Sequence, residues 1–475
     1  MKNIFRVCSG LLLAAFVSGA FAASADDAQL IARGRYLATA ADCAGCHTAP
    51  QGKPFAGGYG IDSPFGQIWS SNITPSKTQG IGAYSERDFA RAVREGVDAN
   101  GRHLYPAMPY PSYAGIADDD MKALYAYFMH GVDAVDTATP DTTLPFPFSQ
   151  RWLMAGWNLA FANGKPFVPD ASKSAAFNRG HYLVEALGHC GACHTPRNFA
   201  FAEKPYLPLA GGQLGAWQTP NITSDPVSGI GGWTQAELVQ YLRTGTVPGK
   251  AQAAGGMAEA VQASLQHLSD DDLNAIATYL KASKPVRNPV DVKPAYAYDG
   301  THAGGYEAAL RATNQGIGVN STTPGFMKLT TGAQLYSGNC ASCQPSGAGT
   351  SDGAFLSLTH NSTLGRHDAD NLVMVILNGL HIQTGKDDRP MPAFADDLND
   401  EPGRADRHVR DERVRQSRRQ GRCATREGAA RGRRQSGRRS RLRADRGSGD
   451  RAAGDLSDRA VVQVQTPAQV VLLTR

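Results

Sequence analysis

The sequence predicts a mainly α-helical protein built from three tandem domains, the third incomplete, followed by a disordered C-terminal tail. Three observations carry that expectation. A long internal repeat sets Cys43 and Cys190 147 residues apart. The first two copies each close on an amphipathic run headed by acidic residues. The composition changes abruptly near residue 400. The repeat is far longer than the roughly 20–50 residues of a solenoid unit and indicates duplicated domains.

Length and charge frame this reading. At about 100–200 residues per domain, 475 residues allow two to four domains. The net charge of +5 is the sum of unlike parts. Residues 1–400 carry 28 Lys+Arg, 34 Asp+Glu and all 38 aromatics, whereas residues 401–475 carry 20 Arg, no Lys and no aromatic. The body is therefore mildly acidic and able to bury a core, which disfavours a nucleic-acid partner.

At the N-terminus, Lys2 and Arg6 precede an apolar run, Val7 to Ala22, ending in Ala20-Phe21-Ala22. This pattern predicts a secretory signal peptide over 1–22 and export to the periplasm. The run is shorter than the ~20 apolar residues a membrane span needs.

Domain 1, residues 23–135, opens with Arg33-Gly34-Arg35-Tyr36-Leu37 and continues to Cys43-Ala44-Gly45-Cys46-His47. In an exported chain, paired cysteines first suggest disulfides, and CxxC also suits redox pairs and zinc sites. The histidine that follows makes this C-x-x-C-H, the attachment motif for c-type haem. The thiols of Cys43 and Cys46 would bond the haem vinyl groups, with His47 on the iron. Asn72-Ile73-Thr74 and Gly80-Ile81-Gly82 follow, then an expected helix from Asp118 with Ala123, Leu124, Tyr127 and Phe128 on its apolar face. Met108, within Tyr105-Pro106-Ala107-Met108-Pro109-Tyr110, is the expected sixth iron ligand, placed in an irregular loop.

Residues 136–172 read as a linker with an apolar, aromatic segment containing Trp152, Trp157 and Phe161. It is expected either to pack between domains or to dock a partner. Domain 2, residues 173–290, repeats the pattern: Arg179-Gly180-His181-Tyr182-Leu183, then Cys190-Gly191-Ala192-Cys193-His194. Asn221-Ile222-Thr223 and a closing helix from Asp270 follow. Cys190, Cys193 and His194 are the expected haem residues. Met257 lies 149 residues after Met108, in phase with the repeat, and is the expected sixth ligand. His103, His130, His181 and His189 have no repeat-matched role.

After a linker over 291–325, domain 3, residues 326–400, starts at Thr331-Gly332-Ala333-Gln334-Leu335-Tyr336. It reaches Cys340-Ala341-Ser342-Cys343, but Gln344 stands where the histidine belongs. An amide is a poor iron ligand beside imidazole. Cys340, Cys343 and Met391 therefore mark an incomplete haem site. The closing helix is missing as well. A one-base shift of the back-translated tail permits Ile-Ala-Thr-Tyr-Val-Met-Asn, close to Ile276-Ala277-Thr278-Tyr279-Leu280, so a frameshift best accounts for residues 401–475. The other reading of these residues is an Arg-rich arm for anionic lipid or nucleic acid.

A short helix before CxxCH, a long loop region and a closing helix resemble the cytochrome c plan, so the expected architecture is three tandem cytochrome c domains. With Asn-Ile-Thr and the Tyr-Pro-Ala-Met-Pro-Tyr-Pro-Ser-Tyr run at 105–113, residues 25–400 resemble the triheme cytochrome c subunit of membrane-bound periplasmic dehydrogenases. These include gluconate 2-dehydrogenase, sorbitol dehydrogenase and quinoprotein alcohol dehydrogenase. The resemblance implies haem c and a separate flavoprotein or quinoprotein dehydrogenase catalytic subunit. It also implies electron transfer to ubiquinone or a terminal oxidase, and association with the outer face of the cytoplasmic membrane. The chain itself shows no substrate-catalytic constellation. Two haems are expected as written and three in the intact family pattern. Competing readings are a free periplasmic multihaem carrier, a peroxidase-like haem enzyme, and a disulfide or zinc scaffold without haem.

Overall fold

Residues with acidic heads and apolar faces form the helices that frame each copy. The computed structural model describes residues 25–298, 339, 340, 343, 344, 358, 360–385 and 387–395. The expected signal peptide, the expected opening motif of a third copy at 331–336, the segment at 396–400 and the Arg-rich tail lie outside the described residues.

Helix α1, Ala25–Ala40, begins with Asp26 and Asp27 and buries Gly34, Leu37, Ala38 and Ala40. It crosses α5, Asp118–His130, whose first turn holds three aspartates and whose buried face includes Met121, Ala123, Leu124, Tyr127 and Phe128. The same pair recurs as α7, Ala175–His181, against α11, Asp270–Ala282, which buries Leu273, Ala275, Ile276, Ala277 and Leu280. The repeated Arg-Gly motif explains the crossing. A Cβ on Gly34 would lie 1.9 Å from the Ala123 carbonyl oxygen, and one on Gly180 would lie 1.9 Å from that of Ala275. Only glycine permits so close a backbone approach. Beside each glycine an arginine ties the two helices. Arg33 Nε donates to Asp120 Oδ1 at 2.8 Å, and Arg179 grips both oxygens of Asp272 at 2.7 Å.

Between the framing helices lie short elements. Helix α2, Cys43–His47, and α8, Gly191–His194, carry the CxxCH motifs. Helix α3, Glu86–Glu95, and α9, Gln235–Thr244, each start with a complete capping box, Ser85 with Asp88 and Thr234 with Glu237. Helix α4 spans Tyr110–Tyr113, α6 Leu153–Phe161 and α10 Gly255–Ala263. The regions expected as loops also hold antiparallel hairpins: β1 Gly60–Ser63 with β2 Gly66–Trp69, β3 Gly212–Leu214 with β4 Trp217–Thr219, and β5 Thr246–Val247 with β6 Ala251–Gln252. These strands of two to four residues are too short to show a period-two pattern in sequence. In the region expected as the third copy lie α12, Asp370–Asn378, and a longer hairpin, β7 Leu380–Thr384 with β8 Asp387–Met391.

The described residues fall into two compact units. One comprises the residues up to 172 together with 182–189, and the other comprises 173–181 and those from 190 onward. In the first unit, Tyr182–Leu187, a π-helical continuation of α7, buries Leu183, Val184 and Leu187, and the Tyr182 hydroxyl donates to Asp120 Oδ2 at 2.7 Å. In the second, the third-copy hairpin packs on α10, with Ile382 fully buried against Ala253, Ala258 and Val261. No helix among the described residues is long and apolar enough to cross a membrane.

Candidate haem sites

Each CxxCH motif is a single short helical turn, so its second cysteine and its histidine follow one another on the same turn. Cys43, Cys46, Cys190 and Cys193 are half-buried and none is in a disulfide. Burial pushes the Cys43 thiol up to about 12, helped by the Asp42 carboxylate and by Cys46. A thiol–disulfide catalyst instead depresses its nucleophile's pKa. The environment thus favours a neutral thiol over a redox-active thiolate.

The histidines are held in identical fashion. His47 Nδ1 sits 2.7 Å from the carbonyl oxygen of Ser71, and His194 Nδ1 sits 2.7 Å from that of Pro220. A carbonyl can only accept, so Nδ1 carries the proton and donates. The lone pair is then on Nε2, the nitrogen available to a metal. Burial lowers both histidine pKa values, and the carbonyl contacts offset part of that shift. Neutral imidazole is the form that ligates iron.

Ser71 and Pro220 each precede the Asn-Ile-Thr motif, whose role is now visible. Asn72 Nδ2 donates to the carbonyl of Val135 at 2.7 Å, while its Oδ1 accepts from the amide and hydroxyl of Thr74. Asn221 does the same with Val286 and Thr223. Thr74 and Thr223 are fully buried. The motif staples the carbonyl that orients each histidine to the chain that leaves the closing helix.

Met108 lies in an irregular turn before α4, as expected, and is half-buried. The two tyrosines around it are anchored by the segment read as a linker. Tyr105 donates its hydroxyl to the Phe148 carbonyl at 2.9 Å and lies under the Arg151 guanidinium. Tyr110 donates to Asn158 Oδ1 at 2.7 Å and meets Trp157 edge to face. The linker is thus partly packing, through Trp157 on α6, while Phe146, Trp152 and Leu159 remain exposed. Met257 departs from expectation. It occupies the first turn of α10 rather than an irregular loop, and it packs against the Ala253, Ala258, Val261 and Ile382 cluster. A glycine pair at 255–256 reads as a loop in sequence, but Ala258 to Ala263 continue it as a helix.

In the third copy, Gln344 and Cys343 continue a turn from Cys340, their amides donating to the Cys340 carbonyl at 2.9 and 3.1 Å. Met391 ends β8 and pairs with Leu380 across the hairpin. Histidine 181, given no matched role in sequence, does have one. It stacks on Tyr279 of α11 at 4.8 Å, as Arg35 lies over Tyr127 of α5. The alignment of Arg35 with His181 in the repeated motif was the available signal.

Two thiols and an imidazole with Nδ1 engaged form a donor set that fits covalently attached haem at both complete motifs. No cluster of three or more His, Cys, Asp or Glu residues suited to a bare metal ion occurs among the described residues. The family model described as cytochrome c matches residues 31–131. The chain is 46% identical over 376 residues to the fructose dehydrogenase cytochrome subunit of Gluconobacter japonicus, covering 77% of this chain and 74% of that one. It is 41% identical over 422 residues to the gluconate 2-dehydrogenase cytochrome c subunit of Pantoea cypripedii, covering 84% and 88%. The chain belongs to the cytochrome c subunits of dehydrogenases. This cytochrome c subunit uses haem c. A relative of another description, the quinone alcohol dehydrogenase cytochrome c subunit of Gluconobacter oxydans, is 36% identical over 84% of this chain and 82% of its own length.

Proposed function

We propose that this cytochrome c subunit takes electrons from a flavoprotein or quinoprotein dehydrogenase subunit oxidising an alcohol, polyol or sugar acid, and passes them to ubiquinone or a terminal oxidase. The observation that carries the reading is the duplicated CxxCH turn with its histidine Nδ1 on a stapled carbonyl. Haem supplies the one-electron chemistry, and the protein supplies ligands, burial and orientation.

In this reading Cys43 and Cys46 attach one haem, with His47 and Met108 on its iron. Cys190 and Cys193 attach the second, with His194 and Met257 on its iron. Methionine together with histidine as iron ligands would raise the reduction potential of such a site, which suits an acceptor downstream of a dehydrogenase. Cys340, Cys343 and Met391 belong to a third cytochrome c domain that lacks its proximal histidine. The chain works in the periplasm after loss of residues 1–22. The exposed Phe146, Trp152 and Leu159 are apolar contact points available to the catalytic subunit.

Purification of the protein from its native membranes tests the reading. Co-purification with a flavin- or quinone-containing subunit, and reduction of the haems on adding that subunit's substrate, are expected. Isolation as a lone soluble carrier that no dehydrogenase reduces would overturn it.

A further inference from the structure

The third copy retains a purpose that does not require its missing histidine. Its β7–β8 hairpin completes the core around the helix that bears Met257. Ile382, with no exposed surface, fills a pocket formed by Ala253, Ala258 and Val261, and Met257, Leu265 and Leu380 pack on the same cluster. The edge of β7 is bound by side chains of the same region. Gln262 donates to the His381 carbonyl and accepts from the Gln383 amide, at 3.3 and 3.0 Å. Gln266 repeats this pattern with Gln383 and Gly385. On the other strand, Arg389 donates to Thr246 Oγ1 at 2.9 Å.

This is a built interface and not a chance approach. A strand edge is normally an open row of donors and acceptors. Here two glutamines one helical turn apart satisfy it, so the hairpin is registered on α10 and its downstream turn. The register places Ile382 against the cluster that Met257 shares.

We infer that Ile382 is a positioning residue for the second haem, holding Met257 in place as its sixth ligand. The inference rests on the proposal that Met257 ligates iron. A thioether side chain has three rotatable bonds and readily refills a gap. Without the Ile382 side chain, the cluster that Met257 packs against would hold a vacated space into which the thioether could turn, away from a haem iron.

The test uses the full-length holoprotein and the variants Ile382→Ala, Ile382→Val and Gln262→Ala/Gln266→Ala. Pyridine haemochrome analysis counts haem, the methionine–iron charge-transfer band of the ferric protein reports ligation, and a redox titration resolves the potentials. Ile382→Ala is expected to keep the parent's haem count, lose part of that band, shift one potential downward and gain carbon monoxide binding when reduced. Ile382→Val is expected to retain the parent spectrum. If Ile382→Ala loses haem, the double glutamine variant is judged on the same readings. Met257→Ala separates the two ideas. If it removes the second haem's band while the hairpin variants keep the parent band and potentials, the ligand assignment stands and the positioning role falls. If Met257→Ala changes neither band nor potentials, Met257 is not a ligand and both fall.

Discussion

His47 and His194 each engage one ring nitrogen with a backbone carbonyl, and that choice settles which nitrogen faces a metal. His194→Gln would recreate at the second site the residue that stands at position 344. It is expected to leave one stable, normally ligated haem where two are expected in the parent, as counted and characterised by haemochrome and ferric spectra. Retention of two normally ligated haems would show that an amide suffices. The staple behind the histidines is equally specific. Asn221→Ala removes three hydrogen bonds from a largely buried site and strands the Val286 carbonyl. A cost of about 1–3 kcal/mol is expected for such an unsatisfied group, read by denaturant unfolding. Asp225 adds a pH signature. Burial works against its charge, but the Arg287 guanidinium and the amides of Ser228 and Val227 outweigh it and hold the carboxyl below the usual range. A depressed carboxylate stabilises the fold fully above its unfolded pKa, near ~3.9, and loses that effect as pH falls through the lower folded value. Asp225→Asn is expected to reduce, but not abolish, the slope of unfolding stability against pH across that acid window, since the depressed carboxyls of Asp88, Asp136 and Glu237 keep contributing to it. An unchanged slope would count against the assignment.

At the scale of elements, the helix crossing depends on an absent side chain. Gly180→Ala would drive a methyl group into the Ala275 carbonyl, where the ideal Cβ distance is 1.9 Å. Overpacking of this kind costs roughly 1–3 kcal/mol, and separation of α7 from α11 is expected as a lower melting temperature with the Arg179–Asp272 pair disrupted. Gly34→Ala should act likewise on α1 and α5. The caps are milder. Thr234→Ala removes the hydroxyl half of a capping box and should cost about 1 kcal/mol, with no effect on the ferric spectrum because α9 carries no ligand. The closing helices were legible in advance because a 13-residue amphipathic pattern opening on three aspartates gives a clear signal. The hairpins were not, since pairing over two to five residues is decided by neighbours distant in sequence.

On the scale of the whole molecule, the +5 charge of the 475 residues is the sum of an acidic part and an arginine-rich part. The described residues form a mildly acidic body, and the arginines that reverse its sign lie in the tail. The parent protein is expected to contain two covalent haems by haemochrome analysis. A count of three would show that the third site forms without a histidine after Cys343. The described residues expected to belong to a third copy fall in the same compact unit as the second CxxCH motif, and Ile382 of β7 is part of that unit's core.

The sequence by itself determined the haem chemistry and the helical frame. Covalent attachment needs two thiols and an imidazole within five consecutive residues, and a domain duplication repeats that local signal in phase. Only the tertiary structure decided how each histidine is oriented, that Met257 sits on a helix, and that a hairpin from the third copy closes the core behind it. Those facts depend on carbonyls and side chains 24 to 125 residues away from the groups they control. Carbonyls look alike in every residue, and a buried isoleucine looks like any other, until the fold brings them to the site.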